Sequence, residues 1–423
     1  MARALLAGGR VDITPAQPLP LAGYADRLGP SAGVRDPLEI NAILLEADGR
    51  RIAILSADAL FVTDDLKARI LDVAGPALGL DTASLLCAAS HTHTAPALDP
   101  SKPRLGAVDP AYAELVARKA AALLLDLGRA PRVPCRVTYR VGVAEHAINR
   151  RRQGWQLSVR HLPRRGVLRA PDPTGPRDET LHVFRCDGPD GSALAVLWSY
   201  ACHPVGFPAA RYASADFPGV VRDGLRTVLG AALPVVFLQG CAGDIRPREL
   251  APARTLGRRL GERLLGKLFT PFTPPEYAAW AASLGQRVVD LAREPSAGRE
   301  LDVAPRGAQA AFSLDQILAG APVGRTVTVQ RIELGPDARI MAVSAEPVAE
   351  YGLALRARET GVVVPVGYID TVFGYLPSAR MLGQRGYEDE GFMAAFGITG
   401  RFRPEVERVV LSSWVQRVTL SND

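Results

Sequence analysis

Cysteine is scarce and scattered, with five residues in 423, an odd number. Cys87, Cys135, Cys186, Cys202 and Cys241 mostly sit inside apolar runs and form no CxxC pair. That pattern excludes a disulfide-built secreted scaffold and a dithiol redox motif. It reads as small core residues in a reducing compartment, the cytoplasm. Aromatic residues make up only 6% of the chain and do not interleave with basic ones, which argues against a nucleic-acid partner. No run of eighteen apolar residues occurs, so no transmembrane segment is expected, and the stretch from Met1 to Arg10 is too short in apolar core for a secretory leader. Long basic blocks are also missing. The net charge of +6 comes mainly from dispersed arginine, with short runs at Arg150-Arg151-Arg152 and Arg164-Arg165. Such an excess suits an anionic substrate or a membrane surface, and equally a simple compositional preference.

What is present describes a globular chain, 48% hydrophobic and 22% charged, long enough for one large or two medium domains. No internal repeat or low-complexity linker divides it, so residues 1–423 read as a single domain. Apolar runs at Ile40–Glu46 and Arg51–Ser56 flank Asp48-Gly49, a hairpin signal. Thr180–Cys186 with Leu194–Tyr200, and Arg325–Glu333 with Arg339–Val343, read as two more hairpins. Helices are expected over Asp64–Ala77 and Asp109–Leu127 (the second opened by Asp109-Pro110), from Ser214 to about Gly230, and over Ala253–Leu268 and Pro275–Ala292. The polar, Arg- and Pro-rich stretch from Arg151 to Asp178 reads as an irregular insertion or lid. The tail from Glu405 to Leu420 fits helix and strand equally. Alternating strands and helices with several hairpins predict an α/β fold with a mixed β-sheet core and flanking helices.

Histidine is rare too, and two of the six are concentrated in His91-Thr92-His93, where the apolar run Leu85–Ala89 ends before Pro96. In an extended segment residues i and i+2 face the same side, so both imidazoles are expected to enter one pocket at the strand end. Imidazole is the commonest zinc ligand, and catalytic zinc takes three protein ligands with one position open. The blander alternative is a loop with ordinary hydrogen bonds. The pattern of an apolar strand, an imidazole or carboxylate and a proline recurs at Ala201-Cys202-His203-Pro204 and Ser344-Ala345-Glu346-Pro347. Two histidines and a glutamate gathered at strand ends make a standard catalytic zinc set, although such a set also holds other divalent ions. Taken singly, His203 also fits a core position beside Trp198, and Glu346 fits a helix-start carboxylate.

These motifs are similar to those of the neutral/alkaline (non-lysosomal) ceramidases, zinc amidases that cleave the N-acyl bond of ceramide. The likeness runs in order through Gly9–Thr14, Gly23-Tyr24, Ser56-Ala57-Asp58, His91–Pro96, Asn149-Arg150, Ala201–Pro204, Ser214–Gly219, Gln239–Asp244 and Ala345-Glu346-Pro347 to the tyrosine-containing loop from Gly367-Tyr368 to Gly391. The resemblance implies His91, His203 and Glu346 as zinc ligands, with Tyr375 also approaching the zinc. It implies His93 as a substrate-contacting partner able to carry a proton, and Arg150 with Tyr387 as the oxyanion-holding pair. The family's Gly-Asp-x-Ser-Pro segment reads Gly243-Asp244-Ile245-Arg246-Pro247 here. A serine nucleophile at that position is thereby excluded, and attack by zinc-activated water is not. No counterpart of the family's C-terminal immunoglobulin-like domain is expected.

The expected activity is therefore zinc-dependent hydrolysis of an N-acyl amide or lipid-like small molecule. Two alternatives stand beside it. The same centre can form or rearrange an amide, lactam or lactone in a biosynthetic pathway, or the fold can serve as a non-catalytic binding protein.

Overall fold

Two β-sheets pack face to face in the computed structural model, which describes residues 4–156, 164–252, 255–293 and 298–416. The first sheet has nine strands, eight in one continuous order and a ninth, Arg299–Glu300, paired with Val133–Val143 off that path. Its order begins Val235–Gln239, Ala193–Tyr200, Thr180–Asp187 and Val133–Val143. It continues through Ala4–Asp12, Glu39–Ala47 and Arg50–Ala57 to Leu85–Ala89. The second sheet runs Arg306–Ser313, Thr326–Gly335, Ala338–Val343 and Val362–Val366. Ile43, Ile54, Leu86, Leu197 and Val236 of the first sheet meet Ile332, Ile340, Val364 and Val366 of the second in one buried layer. Burying each such side chain is worth about 1.5–3 kcal/mol.

Helices cover both outer faces. Asp64–Leu78 and Pro110–Arg129 pack on one half of the first sheet. Asp216–Leu229 and Pro274–Arg293 pack on the other half. Ala349–Arg358 and Val406–Gln416 cover the second sheet. The expected mixed sheet with flanking helices is present, but as two stacked sheets. No helix among the described residues is long and apolar enough to cross a membrane.

Local chemistry accounts for most of the elements. Asp48 (φ 50°) and Gly49 (φ 72°) are both left-handed, as a two-residue hairpin turn requires. Thr63 and Asp109 cap their helices by accepting from Leu66 N and Tyr112 N at 3.0 and 2.8 Å. The tail is a helix over Val406–Gln416, with Val406, Val410, Leu411 and Trp414 buried at helical spacing; residues 417–420 lie outside the described residues.

The stretch expected to be an irregular lid is instead ordered over most of its length. Ala147–Gln156 and Arg164–Asp172 form an antiparallel pair, and Ile245–Pro247 adds a third strand. Residues 157–163 of the expected lid lie outside the described residues. The sequence hid this pair because its inward side chains are polar. Asn149 bonds Asp244, and Arg150 and Arg151 bond Glu388, so no apolar alternation marks the strands.

Three strand–helix–strand crossovers aim the functional segments. Arg50–Ala57 and Leu85–Ala89, Ala193–Tyr200 and Val235–Gln239, and Ala338–Val343 and Val362–Val366 are parallel pairs. Each is bridged by a helix, and the carboxyl ends of such strands are the usual place for a site. The two ends of the first sheet's strand order come together: Ser56 Oγ donates to the Phe237 carbonyl at 2.6 Å, and Asn41 Oδ1 accepts from Val235 N at 3.1 Å. Segments far apart in strand order are thereby neighbours in space.

A buried ion network ties the helix Asp216–Leu229 to this seam. Arg226 donates to both oxygens of Glu39 at 2.9 and 2.8 Å, and Arg222 bonds Asp58 at 2.7 Å. Burial raises the Glu39 carboxyl, but Arg226 and Arg222 outweigh it and hold the group down at about 2 against an ordinary 4.5. The stabilisation from Glu39 is therefore complete above pH 4.5 and drains away as pH falls toward 2. Glu39→Ala leaves two buried guanidinium groups short of an anion. It is expected to lower the unfolding free energy in urea by about 3–5 kcal/mol at neutral pH, and to flatten the acid limb of the stability profile.

Candidate metal centre

Three histidine side chains converge where the strand ends of the two sheets meet. His91 follows Leu85–Ala89 and His203 follows Ala193–Tyr200, and both are buried; His93 is partly exposed. The Nε2 atoms of His91 and His203 are 2.9 Å apart, and that of His93 is 3.4 Å from His91 Nε2. The pairing of His91 and His93 does not come from a strand pleat, as expected from their spacing. His91 has φ 64°, a left-handed backbone uncommon outside glycine, and this turn brings the two rings together.

Each ring spends its other nitrogen on a carbonyl. His91 Nδ1 lies 2.9 Å from Leu60 O, His203 Nδ1 2.9 Å from Ala242 O, and His93 Nδ1 3.0 Å from Gly23 O. A carbonyl only accepts, so all three Nδ1 atoms carry a proton, and the three Nε2 atoms turn toward one another. Burial, then the neighbouring His91 ring, hold His93 and His203 well below the ordinary imidazole range. Glu346 adds a carboxylate: its Oε2 is 3.3 Å from His91 Nε2 and 3.6 Å from His203 Nε2, and it accepts no hydrogen bond. Lone pairs and a carboxylate oxygen this close repel one another unless a cation lies among them. His91, His93 and His203 have the geometry of a metal-binding group, and Nδ1–H bonds to carbonyls are the usual outer support of metal-ligating histidines. The donor set fits a divalent ion of the zinc type.

The surrounding backbone is built to hold these atoms. A Cβ on Gly23 would lie 2.5 Å from His93 Nδ1, and φ there is 109°, so only glycine lets the loop seat that ring. The turn after Val235–Gln239 supports the carboxylate side. Gly243 N donates to Pro347 O at 2.8 Å, and a Cβ on Gly243 would come 2.8 Å from Glu346 O. Asp244 accepts from Ala349 N at 2.8 Å and from Asn149 Nδ2 at 2.7 Å. The Gly-Asp segment that lacks the serine is thus a clamp between three chain segments.

Arg150 lies buried beside this cluster, its guanidinium carbon 5.6 Å from the ring centres of both Tyr375 and Tyr387. Its Nε donates to Glu388 Oε1 at 2.9 Å, Arg151 pairs with the other carboxylate oxygen, and Arg150 Nη2 has no partner. Burial works against the Arg150 charge, but Tyr375 and Glu388 hold it well above its ordinary value. Tyr375 pairs in register with Glu346 across two short parallel strands. Burial, then Glu346, push its hydroxyl well above the phenol range, so it is a proton donor at neutral pH. Tyr387 is 41% exposed at the rim, its ring 5.3 Å from that of Tyr375.

All seven residues singled out from the sequence lie in this one region of the fold. Glu388 and Tyr368 were not among them. Glu388 finds its arginines 238 and 237 residues away, a pairing with no local signal. Tyr368 repeats the strand-end pattern after Val362–Val366 but reads as one tyrosine among several in its loop.

The fold is that of a known enzyme class. The neutral ceramidase from Pseudomonas aeruginosa superposes with a TM-score of 0.72 at 15% identity, over 98% of this chain and 74% of that one. A ceramidase complexed with C2 superposes with a TM-score of 0.70 at 15% identity, over the same shares. No family model matches the sequence, and no curated protein matches it. The chain therefore has the neutral-ceramidase fold, and a three-histidine group able to take a metal, two of its rings buried and one partly exposed, lies within it.

Glu388 is the only carboxylate bonded to Arg150 among the described residues. Glu388→Ala is expected to destabilise the protein by about 3–5 kcal/mol in denaturant titrations, because two buried guanidinium groups lose their counter-charge. Glu388→Gln keeps the shape and is expected to cost less, which separates charge from packing.

Proposed function

We propose that the chain is a zinc-dependent hydrolase that cleaves the amide bond of an N-acyl compound, working as a single ceramidase-like domain. One observation carries the reading: three imidazole Nε2 atoms and a carboxylate oxygen without a hydrogen bond face one another in one site. We assign the ligand positions to His91, His203 and Glu346, all buried, with Tyr375 contributing a neutral oxygen beside Glu346. A zinc ion held there supplies Lewis acidity, which activates water at neutral pH and polarises a carbonyl.

The chain's own groups do the rest. Arg150 presents its unpartnered Nη2 to the charge that develops on the acyl oxygen, and a donor so placed is worth about 3 kcal/mol. Glu388 aims that guanidinium and keeps it from swinging toward solvent. Tyr387, at the rim, donates to the same oxygen. His93 is the more exposed histidine, fixed as the Nδ1–H tautomer by Gly23. Its free Nε2 is the atom that can carry a proton to the leaving amine. The rings of Phe61 and Phe396, with Phe61 5.2 Å from His91, give the acyl group an apolar side to lie against. Five unpaired cysteines suit the reducing cytoplasm, where we place the protein.

Metal analysis of the purified wild type beside His203→Ala, with a panel of acyl amides assayed on both, tests the reading. Wild type is expected to carry one zinc per chain. The variant is expected to lose the zinc together with activity, with kcat/KM falling on the order of 1000-fold, which is about 4 kcal/mol. A wild type without metal overturns it.

A further inference from the structure

Tyr368 is the most deeply placed aromatic residue at the centre and has no role so far. Its side chain is fully buried, yet its hydroxyl has no hydrogen-bond partner. The ring lies against His91, with centroids 4.2 Å apart and planes tilted 36°, and stands edge-on to His203 at 6.3 Å. Its backbone is pinned between the two sheets. Tyr368 N donates to Ala345 O, one residue before Glu346, and Tyr368 O accepts from Ala89 N, two residues before His91, both at 3.0 Å. The residue also holds φ 62°, a left-handed conformation that costs about 1–2 kcal/mol for a residue with a side chain. Packing alone does not call for this: phenylalanine would fill the same space without burying an unpaired hydroxyl.

The hydroxyl is not alone among the described residues in being buried without a partner near the centre. Glu346 Oε2 and Arg150 Nη2 share that state, and the three atoms come from different segments of the chain. One is an acceptor and two are donors. A phenol holds its proton at neutral pH, so the hydroxyl is a donor, on a ring packed against His91 and His203. A donor kept dry and unpaired, at the cost of a strained backbone, is matched to an acceptor that arrives with the ligand.

We propose that Tyr368 is a further catalytic residue, its hydroxyl donating a hydrogen bond to the acyl carbonyl oxygen of the bound substrate together with Arg150 Nη2. This rests on the hydrolase reading above and extends it. The acyl oxygen sits at the buried floor, between the Tyr368 hydroxyl and the guanidinium, and the amine side of the substrate points toward His93 and the rim. Tyr387 then closes over the oxygen from the solvent side instead of supplying the main donor.

The test compares wild type with Tyr368→Phe, both loaded with zinc. The probe is dodecanoyl hydroxamic acid, which presents an acyl carbonyl and is not turned over. Binding is followed by calorimetry, alongside zinc content and thermal midpoint. The expected result is full zinc content, a midpoint equal to or above that of wild type, and hydroxamate binding weakened by about 10-fold or more. With a 13C-labelled carbonyl, the infrared band of the bound probe is expected to move to higher frequency as the donor is lost. Equal affinity and an unmoved band in the variant would show that the hydroxyl is idle, and would leave the hydrolase reading intact. Loss of zinc from the variant would make Tyr368 a support of the centre and not a donor to substrate, which also overturns the proposal. A wild type that takes up neither zinc nor hydroxamate removes the hydrolase reading, and this one with it.

Discussion

Three imidazoles and a carboxylate turn their Nε2 and Oε2 atoms toward a common point, and much of the surrounding structure serves that confrontation. Left to themselves the four groups would turn apart. They cannot, because Leu60, Gly23 and Ala242 each fix an imidazole through its Nδ1–H, and the turn at Gly243 holds the segment that bears Glu346. The backbone supplies the restraint and the side chains supply the potential. In the proposed arrangement a cation at that point satisfies His91, His203 and Glu346 together and leaves His93 free.

A second electrostatic arrangement lies beside the first with the opposite sign. Arg150 brings a positive charge into the buried region, and Glu388, shared with Arg151, makes that burial tolerable while leaving one nitrogen free. The tyrosines around it stay protonated through burial, so they act as donors and not as competing anions.

Stacking two sheets is what lets so many groups meet. His91 and His203 leave strands near opposite ends of the first sheet's order, and they are neighbours because the Ser56–Phe237 and Asn41–Val235 bonds bring those ends together. Glu346, Tyr368 and Tyr375 arrive from the second sheet and its loops. A site assembled from two sheets has strands behind its side chains from both sides.

Much of this was legible in the linear chain. Asp48-Gly49 dictated a hairpin through its two left-handed residues, Thr63 and Asp109 marked helix starts, and the repeated motif of an apolar strand followed by histidine or glutamate and then proline named the buried cluster. Those signals are local: each depends on the conformational preference of one or two residues, or on a period that neighbouring positions share. The strands around Arg150 and Arg151 were not legible, because their inward faces are satisfied by Glu388 and Asp244, far away in sequence. The left-handed turn at His91 and the orphaned hydroxyl of Tyr368 were hidden for the same reason. Sequence by itself determined the identity of the donor atoms and the order in which strands deliver them. Tertiary structure decided which lone pairs face one another, which charge neutralises which, and which hydroxyl is left unpaired, since those outcomes depend on distances that only the packed sheets define.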